Sequence, residues 1–217
     1  MKKAIIFDMD GVLIDSQPLH FEVDIRVLQQ FGYPATLQDV EKYAGMSNPD
    51  RWAKYKRDYD LQATENELIE AHIIALKNLF DSKEGLKPIK GIVQLLQMLK
   101  EKDLQMSVAS SSSYDFVHMV LDKLKISEYF DIIVSGEDME KSKPAPDIFL
   151  ATARKHNVSV EDCVVIEDSH NGVSAAKAAN IFCIGYINKT SGEQNISKAD
   201  IIINDFHKLV QDSNWLY

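Results

Sequence analysis

The sequence predicts a doubly wound α/β fold with a parallel sheet, into which an all-helical unit is inserted. Three observations carry this. From Gly91 onward, short apolar runs alternate with stretches of helical spacing, which implies right-handed crossovers and a parallel sheet. Residues 15–84 show helical periodicity and no strand signal. Several of the apolar runs stop abruptly on polar residues, as happens at the carboxyl edge of an open sheet where ligands sit.

The first run, Ala4-Ile5-Ile6-Phe7, reads as a buried strand and ends at Asp8-Met9-Asp10-Gly11. Pro18 suits a first helical turn, Phe21, Ile25 and Leu28 share one helical face, and Gly32 suits the helix end. Residues 50–59 read as a charged helix. Thr64 to Glu67 form a capping box ahead of a helix whose face is Ile69, Ile73, Leu76 and Phe80. Residues 81–90, with Gly85 and Pro88, form the return connection. Beyond it come a helix marked by Ile92, Leu95, Leu96 and Leu99, a strand over 106–109 and a helix marked by Val117, Val120, Leu121 and Leu124. A strand over 132–134, a helix over 147–156 capped by Asp147, a strand over 164–166 and an Ala-rich helix over 172–179 follow. Short strands at 182–184 and 201–203 complete the order. The expected domains are an α/β core of residues 1–14 and 85–217 and a helical cap of residues 15–84, hinged near 14–16 and 81–87.

Composition narrows the function classes. A chain of 217 residues with 45% apolar and 26% charged residues can build one core domain with a modest insertion. Its net charge of −9 disfavours nucleic acid and anionic membrane as partners. Any phosphate substrate must therefore meet its positive charge locally, from a metal and one or two cations. Cys163 and Cys183 lie in or beside apolar runs and read as buried thiols. With no apolar run of membrane-spanning length and no signal peptide recognisable after Met-Lys-Lys, a cytoplasmic location is expected, as a monomer or weak dimer.

The chemistry concentrates where strands end. Asp8 and Asp10 can act as nucleophile and as general acid/base, and a nearby Mg²⁺ would offset carboxylate–phosphate repulsion. Gly11 allows a sharp turn and the approach of backbone N–H groups to a bound anion. The plainer alternative makes Asp10 a helix cap and Asp8 a turn residue. A calcium loop fits poorly, because Met9, Val12 and Ile14 stand where oxygen ligands are needed. The stretch from Asp8 to Ser16, Asp-Met-Asp-Gly-Val-Leu-Ile-Asp-Ser, resembles the first motif of the haloacid dehalogenase superfamily of phosphotransferases, most closely its β-phosphoglucomutase-like branch.

The remaining motifs follow in order. Ser110 ends a strand and precedes a helix, a place suited to an anion, and it matches the family's second motif. Ser111 beside it is placed among the substrate contacts, whereas Ser112 and Ser113 read as helix-capping serines. Lys143, in a loop stiffened by Pro144 and Pro146, resembles the third motif and would be a fixed cation facing the phosphoryl group. Glu167-Asp168 form an adjacent acidic pair that is costly after a buried strand unless a cation compensates it. The family's fourth motif ends a strand with such a pair. The resemblance implies that Asp168 ligates Mg²⁺ with Asp8 and the main-chain carbonyl of Asp10, while Glu167 holds water on the metal.

The chemistry implied is in-line attack by Asp8 to form an aspartyl-phosphate, with Asp10 first protonating the leaving alkoxide and then activating water. Substrate choice should rest with the helical unit. His20 stands where the branch carries a His near its substrate, and Gly45-Met46-Ser47-Asn48 resembles its substrate loop. Asn48 occupies the place of the branch's phosphate-gripping Arg, and His72 stands near the place of a Lys. Arg51 could substitute for one of these cations. Hydrolysis of a small sugar or polyol phosphate therefore ranks first and a β-phosphoglucomutase-type mutase second. A response-regulator-like phospho-Asp switch and a catalytically dead scaffold are the alternatives of other classes.

Overall fold

The computed structural model describes residues 2–44, 46 and 48–217. In chain order the elements begin with β1 (Ala4–Phe7), followed by α1 (Gln17–Gln30), α2 (Leu37–Glu41), α3 (Asn48–Asp58) and α4 (Glu65–Ser82). They continue with α5 (Ile92–Glu101), β2 (Gln105–Ser110), α6 (Tyr114–Leu124), β3 (Ile132–Ser135), α7 (Asp147–His156) and β4 (Cys163–Glu167). The last are α8 (His170–Ala178), β5 (Phe182–Tyr186), β6 (Ile201–Ile203) and α9 (His207–Gln211).

The six strands form one parallel sheet in the order β3-β2-β1-β4-β5-β6. The chain moves outward from β1 through β2 to β3, then returns to the other side of β1 with β4. The switch in direction lies between β1 and β4, where an open sheet leaves a crevice beyond its strand ends. Phe7 is in register with Val108 on one side and Ile166 on the other. Asp8 N–H donates to Ile166 O at 3.0 Å, so the ladder carries Asp8 to the tip beside Glu167.

Side-chain alternation fills both faces. Ala4, Ile6, Ala109, Val134, Cys163, Val165 and Cys183 pack with Ile148, Phe149 and Ala153 of α7 and Val173, Ala175 and Ala176 of α8. The alternate residues Ile5, Phe7, Val108, Val164 and Ile166 are equally buried. Both cysteines are buried, and burial pushes the Cys163 thiol up to about 11, which suits inert core residues.

The chain divides into two compact units: residues 1–15, 86–189 and 194–217 form the α/β unit, and residues 16–85 with 190–193 form the helical one. In the helical unit α4 packs against α1 and α3, and α2 against α1. The capping box at Thr64 is present, with Thr64 Oγ1 accepting from Glu67 N–H and Glu67 Oε2 accepting from Thr64 N–H. Three details depart from the sequence expectation. The buried face of α4 is Leu68, His72, Leu76, Leu79 and Phe80, while Ile73 is 56% exposed, because buried polar partners draw His72 inward. Pro146 occupies the N-cap of α7 and Asp147 its first turn, so Asp147 favours the helix by its charge rather than as a cap. The short α2 is an addition, held by a capping box between Thr36 and Asp39. Among the described residues, no helix is long and apolar enough to cross a membrane.

Candidate active site

Each strand tip contributes through its own local structure. After β1 the chain coils tightly, with the N–H groups of Leu13 and Ile14 donating to Met9 O and that of Gly11 to Ile14 O at 2.8 Å. Gly11 has φ +81° and lies against Asp168, where a Cβ would stand 2.0 Å from Oδ2. The positive φ at Gly11 makes the sharp turn the sequence predicts, its own N–H is taken by Ile14 O, and its missing side chain gives Asp168 clearance. Asn188 Nδ2 donates to Gly11 O at 3.2 Å and braces the same turn.

Lys143 is the centre of the charge arrangement. Its Nζ lies 2.6 Å from Asp8 Oδ1 and 2.8 Å from Glu167 Oε1, and also donates to Ala109 O at 3.1 Å. The ammonium sits 5.0 Å from the centroid of the buried Phe149 ring. Its side chain is 7% exposed. Burial alone would lower the pKa of this lysine, but Asp8 and Glu167 more than reverse that and hold it firmly protonated. Asp8 shows the converse. Burial raises its pKa well above the ordinary value, Lys143 opposes the rise, and Glu167, Asp10 and Asp168 add to it.

Glu167 is fully engaged. Its Oε2 accepts from Asp168 N–H, Ser169 N–H and the Ser169 hydroxyl at 3.0, 3.0 and 2.9 Å, and its Oε1 accepts from Lys143. Ser169, not Asp168, caps α8, accepting from Gly172 N–H at 3.0 Å. A Cβ on Gly172 would fall 1.7 Å from Glu167 Oε1. Asp8, Glu167 and Asp168 are all buried, and each offers an oxygen within 4.8 Å of the others. This donor set fits a hard divalent cation: three clustered carboxylates, with Asp10 close by, face one ammonium. Asp10 Oδ2 accepts from the Ser112 hydroxyl at 3.3 Å.

Ser110, 1% exposed at the end of β2, accepts the Ser112 N–H on its Oγ at 3.1 Å. Ser113 is the N-cap of α6, accepting from Phe116 N–H at 3.4 Å. Ser111 is exposed. Asp8, Asp10, Ser110, Lys143, Glu167 and Asp168 thus gather at one edge of the sheet. The sequence suggests only a capping role for Ser112, and nothing in a run of four serines distinguishes the one that reaches Asp10.

A family model for haloacid dehalogenase-like hydrolases matches residues 5–186, a span that contains every one of these side chains. The chain belongs to this family. A phosphorylated carbohydrates phosphatase of Thermotoga maritima is 34% identical over 180 residues, covering 82% of each chain. The β-phosphoglucomutase of Bacillus subtilis is 32% identical over 189 residues, covering 84% of this chain and 82% of that one. The solved structure of CbbY from Rhodobacter sphaeroides in complex with phosphate superposes with a TM-score of 0.83 at 25% identity, covering 96% of each chain.

The helical unit of this haloacid dehalogenase-like hydrolase holds a buried polar group of its own. Asp24 on α1 is fully buried, with Arg51 Nε 2.9 Å from its Oδ2, His72 Nδ1 2.9 Å from its Oδ1 and the Tyr55 hydroxyl donating at 3.0 Å. Arg51 also donates to Met46 O at 3.2 Å and to Asn48 Oδ1. Burial would raise the Asp24 pKa, yet Arg51 and His72 hold it below the ordinary value. Burial depresses His72 to about 4 against the pull of Asp24, so the imidazole is neutral. His20 stacks on His72, the ring centroids 5.6 Å apart and nearly parallel. Arg51, which could have substituted for the branch's Arg or Lys, instead spends its guanidinium on Asp24, Met46 O and Asn48 Oδ1. Ser47 and Gly45 lie outside the described residues.

Proposed function

We propose that this hydrolase cleaves a small sugar or polyol phosphate by Mg²⁺-dependent phosphoryl transfer through Asp8. The observation that carries the reading is Lys143 bridging Asp8 and Glu167 beside Asp168 at the switch point of the sheet. In the first step an oxygen of Asp8 attacks phosphorus in line, the bond to the ester oxygen breaks, and Asp10 delivers its proton to the departing alkoxide. In the second step Asp10 takes a proton from water, whose oxygen attacks the aspartyl-phosphate. Inorganic phosphate leaves and the Asp8 carboxylate is restored. Lys143 and the Ser110 hydroxyl, whose Oγ already accepts from Ser112 N–H, stabilise charge on the phosphoryl oxygens. Asp8 and Asp168, with the main-chain carbonyl of Asp10 and with Glu167 in support, would hold Mg²⁺. The bound ion would supply positive charge against the phosphate and the acidic cluster.

We assign residues 1–14 and 85–217 to the catalytic core and residues 15–84 to a cap that selects the substrate, with His20, Ser47 and Asn48 of the cap and Ser111 of the core as the substrate's contacts. Hydrolysis is favoured over mutase action because Arg51 is committed to buried Asp24, whereas a mutase must charge-pair a second phosphate while the sugar reorients. The reading places the enzyme in the cytoplasm, as a monomer or weak dimer. The test is phosphate release from a panel of hexose, pentose and polyol phosphates with Mg²⁺, with glucose 1-phosphate plus a hexose bisphosphate as the mutase control. Release should vanish in Asp8→Asn, and Asp10→Asn should at best be phosphorylated without efficient turnover. An inert wild-type protein, or normal release by Asp8→Asn, would overturn the assignment. A phospho-Asp switch would accept phosphate from p-nitrophenyl phosphate once and stop.

A further inference from the structure

We infer that Ser112 is a positioning residue for Asp10, fixing the carboxyl that exchanges the proton with the leaving alcohol. The inference rests on the acid/base role proposed above for Asp10 and adds a residue to it.

The segment after β2 is pinned on both sides of Ser112. Its N–H donates to Ser110 Oγ at 3.1 Å, and its carbonyl accepts from the Ser135 hydroxyl at 2.8 Å. Ser135 is itself 1% exposed, ends β3 in register with Ser110, and accepts from Glu137 N–H at 3.1 Å. Both backbone polar groups of Ser112 are thus bonded, which leaves its side-chain rotor to choose the partner of the hydroxyl. That rotor carries the hydroxyl to Asp10 Oδ2 at 3.3 Å. Helix capping does not account for this, because Ser113 is the N-cap of α6.

The contact spans 102 positions in sequence and joins the loop after β2 to the loop after β1. At 3.3 Å it is slack, as catalytic hydrogen bonds often are before substrate binds, and they tighten in the productive complex. A hydroxyl is suited to the task, since it donates to a carboxylate and can still accept or donate when the acid is protonated. Asp10 must alternate between those two forms within one turnover. Ser112 therefore orients the carboxyl plane in both half-reactions without touching the phosphoryl group.

The test separates orientation of the acid from general damage. The value of kcat/KM reports only the steps up to departure of the leaving group. An alkyl phosphate needs a proton there, whereas p-nitrophenolate leaves without one. Ser112→Ala should lose roughly tenfold in kcat/KM on the best sugar or polyol phosphate. Its loss on p-nitrophenyl phosphate should be at least roughly threefold smaller. Ser112→Thr, which keeps the hydroxyl, should recover most of the alkyl-phosphate rate, and melting curves confirm that the variants are folded. Asp10→Asn sets the benchmark, with the same selectivity but larger. Selectivity in Asp10→Asn without any in Ser112→Ala overturns this inference alone. Equal losses on both esters in Ser112→Ala also overturn it. No selectivity in Asp10→Asn, or a wild-type protein inert toward both esters, overturns the acid/base reading and this inference with it.

Discussion

Replacing Lys143 with Met removes one buried ammonium and roughly preserves volume. At an effective dielectric constant of about 20, each contact near 2.7 Å has a gross attraction of about 6 kcal/mol. Desolvation of the lysine offsets much of this, and breaking a buried pair from one side costs about 3–5 kcal/mol net. For a chain of this length such a loss lowers the melting temperature by about 10 °C. The measurement is thermal or urea unfolding of wild type and Lys143→Met, first in EDTA and then in millimolar Mg²⁺. In EDTA the deficit should be full, since Asp8, Glu167 and Asp168 then face one another with no cation. Bound Mg²⁺ replaces part of the missing charge, and at a hundredfold excess over its Kd contributes about 2.7 kcal/mol to whichever protein binds it. The variant is expected to gain more from Mg²⁺ than wild type does, so the gap narrows. Turnover should still fall by at least about a hundredfold, because Mg²⁺ does not occupy the position of the ammonium on the transferring group. A variant within about 1 kcal/mol of wild type in EDTA, or a gap that ignores Mg²⁺, would refute the charge argument.

Gly172→Ala should lose most of its phosphatase activity and weaken Mg²⁺ binding measured by calorimetry, because the added methyl would coincide with the Glu167 carboxylate 1.7 Å away. Gly85→Ala, at φ +73° with nothing near its Cβ, should cost only about 1 kcal/mol and leave Mg²⁺ affinity intact. In the helical unit, His72 is neutral in the fold with its pKa depressed to about 4, while the unfolded chain protonates it near 6.5. Stability is therefore full above pH 6.5 and declines as pH falls toward 4, by up to about 3 kcal/mol. Urea unfolding across that range should show the decline in wild type and lose that share of it in His72→Asn, while the Asp24 contribution appears only below about pH 3.8.

The α/β pattern was legible because each strand is a short apolar run closed by polar residues, and the sheet order follows from alternation with helices. The core site was legible for a related reason: a carboxylate, hydroxyl or acidic pair directly after a buried run has few structural uses. The helical unit was less so. The spacing Ile69, Ile73, Leu76 and Phe80 looks like a face, yet Ile73 is exposed and His72 is buried, because Asp24 one helix away supplies the partner that makes a buried imidazole tolerable. No local signal in α4 announces a partner on α1. The internal role of Arg51 is hidden for the same reason: a charged residue on a charged helix gives no sign that its counter-ion is internal. Residues 190–193 group with the helical unit, where a Cβ on Gly192 would come within 2.9 Å of Ala44 Cβ, a proximity with no trace in periodicity.

The two glycines beside the acidic cluster show what the site asks of the fold. A carboxylate at a strand tip is easy to encode, but holding several at coordination distance requires that the neighbouring backbone leave room for them. Gly11 comes from the loop after β1 and Gly172 from the first turn of α8, and the space a Cβ would take is filled by Asp168 in one case and Glu167 in the other. Each glycine thus yields its own side-chain volume to an acid contributed by β4 and its following residue. The arrangement raises the Asp8 pKa and works against folding of the metal-free chain, opposed by Lys143. Local conflict of this kind concentrates at functional sites. Here the backbone is shaped to accept it, so the glycines belong to the acidic cluster as much as the carboxylates do.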